Sequence, residues 1–257
     1  GSGRCIFLVG TITDNPTCDR ACEGIDHVFH EAALISVPAS IENPESTCDI
    51  NIRGTLNVFL AAYETGVKRV VFASSTAVYG NPAMLPNVET QPLNPLSPYA
   101  ASKASGEMLA SAFTEVYGIP IICLRYFNVF GKRQDPSSAY AAAIPRFVSQ
   151  LLRGETPTIF GDGEQTRDFV HIDNVVQANI RAASEGKPEA FGKAFNIGCG
   201  IKTSINRLYA IIARELGSDL RPQYGLERPG EVRHSVADIS AAREAFGYEP
   251  TIDVAEG

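Results

Sequence analysis

The chain has 257 residues, 44% hydrophobic and 20% charged, with 22 Gly and 16 Pro. That composition suits one large folded domain or two small lobes and excludes fibrous and low-complexity classes. A net charge of −7 and the absence of any Lys/Arg run argue against nucleic acid or an anionic membrane surface as partner, and no apolar run approaches the ~18 residues of a membrane span.

Six scattered cysteines (Cys5, Cys18, Cys22, Cys48, Cys123, Cys199) include no Cys-x-x-Cys pair and no zinc partner set. They read as reduced structural thiols, which implies no metal site and a cytoplasmic setting. The opening Gly1-Ser2-Gly3-Arg4 is no signal peptide.

In chain order, residues 6–10 (Ile-Phe-Leu-Val-Gly) predict a short buried strand. Residues 28–33 predict another, ending in Ala32 and Ala33, small enough for backbone to approach a flat ligand. A helix starts near Pro44, shows the stripe Ile52, Leu56, Phe59, Leu60 and Tyr63, and stops at Gly66. The apolar run 70–73 is too short for a helix and reads as a buried strand that delivers Ser74, Ser75 and Thr76 at its end. A Pro-rich loop follows, and Pro98 then opens a helix with Leu109, Phe113, Val116 and Tyr117 on its apolar side. Residues 119–126 are the next strand. After Gly131 a polar loop leads to a helix with Ile144, Phe147, Val148 and Leu151 on one face. Residues 158–163 are a short strand and turn, 168–173 lead back toward the sheet, and 195–198 form its last strand. Thr203 or Ser204 caps the helix carrying Leu208, Ile211 and Ile212. Strands alternating with helices predict an α/β fold with a parallel, doubly wound sheet.

Open α/β sheets bind ligands at the carboxyl ends of their strands. Ser75 stands at such an end. Tyr99 and Lys103 are four apart, so they share one face of the following helix. A phenol titrating near ~10 is a poor base at neutral pH. A fixed ammonium a few ångströms away favours phenolate, and a hydroxyl bonded to the same substrate oxygen can relay a proton. Taken singly, a Tyr/Lys pair is usually a surface feature and a Ser-Ser-Thr run is usually turn chemistry. The order and context of the three make a proton-transfer site.

These two segments, with residues 125–136 (RYFNVFGKRQDP) and 139–145 (AYAAAIP), resemble the extended short-chain dehydrogenase/reductases, and among them the nucleotide-sugar epimerases. The resemblance runs over nearly the whole chain and is nearest to bacterial UDP-N-acetylglucosamine 4-epimerases. It implies a Rossmann-type fold with a smaller mixed α/β lobe. The cofactor lobe is residues 1–129 with 170–198, and the nucleotide-sugar lobe is 130–169 with 199–257. It also implies an opening strand with a Gly-rich turn and a second strand ahead of residues 6–10, which resemble the family's third strand, and a closing helix after the last residue. Neither the opening portion nor the closing helix is present, so the sequence reads as an incomplete member.

By the same resemblance the catalytic set is Ser75, Tyr99 and Lys103, and the cofactor is NAD. Thr11 and Ile12 would lie near the adenine, Ala32 and Ala33 under the dinucleotide, Asn51 on its helix, and Tyr126 near the nicotinamide. The substrate set is Ser36, Ser75, Thr76, Asn128, Gln134, Ala142, Ala143, Ile159, Phe160, Arg167, Arg228, Glu231 and Ser235. In it the guanidinium groups suit a diphosphate, Ala142, Ala143, Ile159 and Phe160 the uracil, and Glu231 the ribose hydroxyls. Ser235 stands where relatives restricted to plain hexoses tend to carry Tyr, leaving volume for a 2-acetamido group. Ile35, larger than expected beside the sugar, tempers that inference.

The implied activity is C4 epimerisation of a UDP-hexose, UDP-GlcNAc/UDP-GalNAc before UDP-Glc/UDP-Gal, by a homodimer joined through the Asn51 and Tyr99 helices. One alternative is a nucleotide-sugar 4,6-dehydratase or UDP-glucuronate decarboxylase. The dehydratases place Asp-Glu where Thr76 and Ala77 stand here, and the decarboxylases an acidic residue where Ala77 stands. A second is a non-catalytic module that binds NAD or a nucleotide sugar.

Overall fold

The structure is a computed structural model that describes residues 5–134, 143–227 and 232–257. Packing divides the chain into two compact units. The first is Gly1–Val78, Pro95–Leu124 and Ala182–Ala194; the second is Tyr79–Asn94, Arg125–Arg181 and Phe195–Gly257. This is a division by packing; the division by ligand stated above remains a proposal.

The first unit opens with α1 (Asn15–Cys22), β1 (His27–His30), α2 (Val37–Glu42) and α3 (Pro44–Cys48). A widened turn over Asp49–Gly54 joins α3 to α4 (Thr55–Glu64). Next come β2 (Arg69–Ser75), α5 (Pro98–Tyr117) and β3 (Ile121–Tyr126). β1 pairs in parallel with β2, His27 opposite Arg69 and His30 opposite Phe72. With β8 (Ala194–Ile197) these strands form one sheet in the order β1-β2-β3-β8. Val70, Val71, Phe72 and Ala73 are all buried, as expected of a parallel strand covered on both faces.

α5 starts where the sequence directs. The Ser97 hydroxyl accepts the Ala100 N–H at 3.1 Å, Pro98 takes the first turn, and Gly118 ends the helix at φ 71°, a left-handed conformation that costs glycine little. Phe59 of α4 meets Phe72 of β2 and Phe113 of α5, both at 5.8 Å between ring centroids. These rings centre a core that includes Val58, Val70, Ala110 and Ile121.

In the second unit β4 (Asn128–Phe130) pairs in parallel with β7 (Phe169–His171). β5 (Thr158–Phe160) pairs in parallel with β10 (Gln223–Gly225), and β6 (Thr166–Arg167) pairs antiparallel with β9 (Thr203–Ser204). Its helices are α6 (Ala143–Leu152), α7 (Ile172–Glu185, running on into the first unit), α8 (Ile205–Glu215) and α9 (Ser240–Phe246). α6 and α8 close over Phe130, Ile159 and Phe169, with Phe147 edge-on to Tyr209 at 5.8 Å. Ser204, not Thr203, caps α8, its hydroxyl accepting the Arg207 N–H at 3.1 Å.

Three expectations change. Residues 6–10 form no strand; Ile6 and Phe7 are 76% and 87% exposed. A strand needs a neighbour for its N–H and C=O groups, and among the described residues this run has none. The segment 168–173 joins β4 through β7 instead of the main sheet. The helix from Pro44 is interrupted by the widened turn at Asp49–Gly54, where Gly54 packs so closely that an added Cβ would meet Ile12 at 2.6 Å.

α5 lies close on β2 because Gly106 has no side chain: a Cβ there would stand 2.4 Å from the Phe72 ring. Phe72 cannot yield, being enclosed by Phe59 and His30. Gly106→Ala gains up to ~1 kcal/mol of helix propensity and loses ~1–3 kcal/mol to overpacking. Urea unfolding should show a net loss of stability.

Candidate functional site

The first unit brings three chemically active side chains together at the carboxyl end of β2. The Ser75 hydroxyl accepts the Ala77 N–H at 3.2 Å and shares a hydrogen bond with the Tyr99 phenol. Burial pushes that phenol above its usual range, and the Ser75 hydrogen bond pulls it back part of the way. Lys103, 4% exposed, donates from Nζ to the Ala73 carbonyl at 2.7 Å, and its ammonium lies 5.1 Å from the centre of the Phe72 ring. Burial pushes Lys103 down to about 8, with Glu31 working the other way. The ammonium is thus fixed on the strand backbone one turn along the helix from the phenol.

A second cluster frames this one. His30 is buried, and its Nε2 lies 2.9 Å from the Thr55 hydroxyl, which itself donates to the Asn51 carbonyl at 2.7 Å. The His30 Nε2 is therefore the donor to Thr55. Burial pushes this imidazole down to about 3, so it is neutral. The Asn51 amide accepts the Leu34 N–H at 2.8 Å and donates to the Leu34 carbonyl at 2.9 Å and to the Ser102 hydroxyl at 3.0 Å. Its polar atoms are spent on protein, so it acts by shaping the turn after β1. Ala32 in that turn is exposed and Ala33 half-buried. Ser36 caps α2, its hydroxyl accepting the Ala39 N–H at 3.1 Å. Thr11 is exposed, its hydroxyl 2.9 Å from that of Thr13. Ile12 packs on the core, and its carbonyl accepts the Asn57 amide at 2.9 Å. Thr76 is half-buried and opens a short turn of tight helix.

The remaining candidates lie in the second unit. The Tyr126 phenol accepts the Asn179 amide at 2.8 Å. Asn128 is half-buried on β4, and the Gln134 amide donates to the Val129 carbonyl at 3.4 Å. Arg167 donates to the Thr166 carbonyl at 2.9 Å. Ile159 sits in the core with Ala143 packed on its edge, whereas Phe160 is half-buried under the Arg146 guanidinium, 5.3 Å from its ring centre. Ser235 is 7% exposed and its hydroxyl has no hydrogen-bond partner among the described residues. Ala142, Arg228 and Glu231 fall outside the described residues.

Sequence reasoning passed over three buried groups beside these residues. Glu107 of α5 accepts the Ser74 hydroxyl at 2.5 Å; its place four residues after Lys103, on the same helix face, was the available signal. Ser40 accepts the Tyr99 N–H at 3.2 Å. In the second unit the Asp168 carboxylate accepts the N–H groups of Cys199, Gly200 and Ala237 at 2.8, 2.9 and 3.0 Å, tying the segments after β8 and before α9 to the residue next to Arg167.

Residues 2–198 match the NAD dependent epimerase/dehydratase family. A putative UDP-glucose 4-epimerase of Methanocaldococcus jannaschii is 43% identical over 234 residues, 91% of this chain and 74% of that protein. The UDP-N-acetylglucosamine 4-epimerase of Methanobrevibacter ruminantium M1, solved with UDP-N-acetylmuramic acid, superposes with a TM-score of 0.88 at 42% identity, over 93% of this chain and 77% of that one. The UDP-glucose 4-epimerase of Thermotoga maritima, solved with UDP-glucose, gives a TM-score of 0.90 at 37% identity, over 96% and 80%.

Asp168 supplies a pH test of the second unit. Burial pushes its carboxyl from the ordinary 3.8 up to about 6, against the pull of the backbone N–H donors. A carboxyl raised on folding stabilises the protein fully below its unfolded value and loses that contribution as pH rises through the folded one. Relative to Asp168→Asn, the wild-type chain should therefore lose ~3 kcal/mol of stability between about pH 4 and pH 7. Urea unfolding across that range measures it; a gain would mean that the N–H donors outweigh burial.

Proposed function

The chain belongs to the NAD-dependent epimerase/dehydratase family, and on that premise we propose that it inverts C4 of a UDP-linked hexose through a transient 4-keto sugar. The observation that carries this reading is the hydrogen bond between Ser75 and Tyr99 beside the buried ammonium of Lys103.

Tyr99 is the base for the 4-hydroxyl proton and returns it to that same oxygen in the second half of the reaction; inversion comes from hydride return to the other face of C4. Ser75, held by the Ala77 N–H, hydrogen-bonds the same oxygen and stabilises it as its charge changes. Lys103 holds a positive charge that favours phenolate. Bound NAD supplies the acceptor, and then the donor, of the C4 hydride. The residues present fit that cofactor. Ala32 and Ala33, without side-chain bulk at the end of β1, would take its flat face, and Tyr99 and Lys103 would hold the nicotinamide ribose. Asn128, Arg167 and Arg228 would bind the diphosphate, and Phe160 offers a ring face to the uracil. Nucleotide contacts remote from C4 retain the keto sugar while it turns over. Thr76 and Ala77, directly after Ser75, lack the acidic groups that elimination of water needs, so epimerisation is favoured over 4,6-dehydration.

Tyr99→Phe should lower kcat on UDP-GlcNAc by ~100- to 10,000-fold with the fold intact by circular dichroism. Chromatography of the products should show a C4 epimer with the wild-type chain; near-full activity in the variant would refute the assigned base.

The substrate reading is N-acetylhexosamine before plain hexose. It is supported by the small, buried side chain of Ser235 and by likeness to a relative that acts on UDP-N-acetylglucosamine. Ser235→Tyr should cut kcat/KM for UDP-GlcNAc by ~100-fold, a typical limit for steric exclusion, and spare UDP-Glc. Equal losses on both substrates would sink this preference.

A further inference from the structure

The Ser74–Glu107 contact has no part in the chemistry above, yet it is among the most enclosed polar contacts of the first unit. Ser74 is 3% and Glu107 8% exposed, and the hydroxyl donates to the carboxylate at 2.5 Å. It is one of three links of the same kind. Tyr99, Lys103 and Glu107 recur every four residues and so share one face of α5. They engage three consecutive residues of β2: Lys103 the Ala73 carbonyl, Glu107 the Ser74 hydroxyl and Tyr99 the Ser75 hydroxyl. Side chains alternate along a strand. Phe72 and Ser74 therefore turn toward α5, which agrees with the Phe72 ring lying against Gly106.

A buried carboxylate is costly unless its hydrogen bonds are met. The Glu107 link therefore holds Ser74 in one rotamer and one register, and Ser75 is its covalent neighbour. β2 ends there, and the Ser75 hydroxyl is held by the Ala77 N–H in the turn that follows and by the Tyr99 phenol.

We infer that Glu107 is a positioning residue: through Ser74 it fixes the end of β2 and so holds the Ser75 hydroxyl against the Tyr99 phenol. This rests on the roles proposed above for Ser75 and Tyr99.

Four proteins test it: wild type, Ser74→Ala, Glu107→Ala and Glu107→Gln. Gln keeps an oxygen that can accept the Ser74 hydroxyl. In the NAD-loaded enzyme, Ser74→Ala and Glu107→Ala should each lower kcat by about 10- to 100-fold, the cost of a displaced reacting group, with KM for the UDP-sugar within about two-fold. Glu107→Gln should recover most of the loss. The second readout needs no turnover. In chains with carbon-13-labelled tyrosine, with Tyr99→Phe assigning the resonance, the Tyr99 phenol should titrate at higher pH in Ser74→Ala and Glu107→Ala than in wild type or Glu107→Gln, because the Ser75 hydrogen bond no longer opposes burial. An unmoved Tyr99 titration in both alanine variants overturns the inference, as does a rise in KM with kcat unchanged. An inactive wild type would instead count against the epimerase reading, and the titration would still decide the role of Glu107. If Glu107→Ala does not fold, Ser74→Ala alone carries both readouts.

Discussion

The first unit depends on one costly arrangement: the Lys103 ammonium, 4% exposed, held on the Ala73 carbonyl at 2.7 Å. A buried ammonium is tolerable only when its donors are met. One carbonyl meets only part of that need, so burial still pushes Lys103 down to about 8. The arrangement cannot form unless α5 lies close on β2, and that closeness follows from Gly106 against Phe72. Local and global requirements agree: the glycine admits the helix, the helix brings the ammonium to the strand, and the strand's next two residues are the hydroxyls that the same helix face engages. The neutral His30 behind the Phe72 ring suits this placement, since a second cation there would raise the cost of the first.

The second unit handles polarity differently. Arg125, 4% exposed, donates to the Tyr79 phenol at 2.8 Å and stacks 4.8 Å from its ring centre. Tyr79 in turn donates to the Asn196 amide oxygen at 2.7 Å, and the Asn196 backbone N–H donates to Glu89 at 2.7 Å. The Asn196 side chain also holds the Asn87 and Asp238 carbonyls. This network and the Asp168 carboxylate bind loops without regular structure to β8 and to the start of β7 through hydrogen bonds to their backbone groups. A loop fixed by several hydrogen bonds loses far less entropy on binding a ligand than a free one. That is a useful property next to Arg167 and Ser235.

Much of this was legible in the residues, for stated reasons. Ser97, Pro98 and Gly118 are strong local signals, and α5 begins and ends on them. The run 70–73 had to be buried because it is apolar at every position. Alternating strands and helices foretold the parallel sheet. The failures have physical causes too. α1 and α2 are short helices capped by Asp14 and Ser36, and they lack an apolar stripe long enough to stand out from loop. Residues 6–10 carry the composition of a strand, but pairing is a property of the neighbour and not of the run. The resemblance puts Asn51 in the cofactor set; that its amide is spent on Leu34 and Ser102 needs the fold to be seen. The Glu107 link needed two things at once, helix periodicity from Tyr99 and the parity of β2, and neither alone singles the residue out.

The ionisations of Tyr99 and Lys103 cannot be considered apart. Burial disfavours both charged forms, raising the phenol and lowering the ammonium. In the proposed reaction a phenolate at Tyr99 would attract an ammonium at Lys103, so each would favour the other's charged state. Removing the proton from Tyr99 therefore costs least while Lys103 retains its own, and the site gains basicity only below the point where Lys103 discharges. Burial thus does two opposed things. It keeps the phenol protonated at rest, and it strengthens the attraction that opens the route to phenolate by excluding water from the pair. Ser75 opposes burial part of the way, because a hydrogen bond donated to the phenol oxygen is stronger when that oxygen is charged. In the proposed reaction the orientation of that one hydroxyl, and whatever holds it, therefore bears directly on the ionisation of Tyr99.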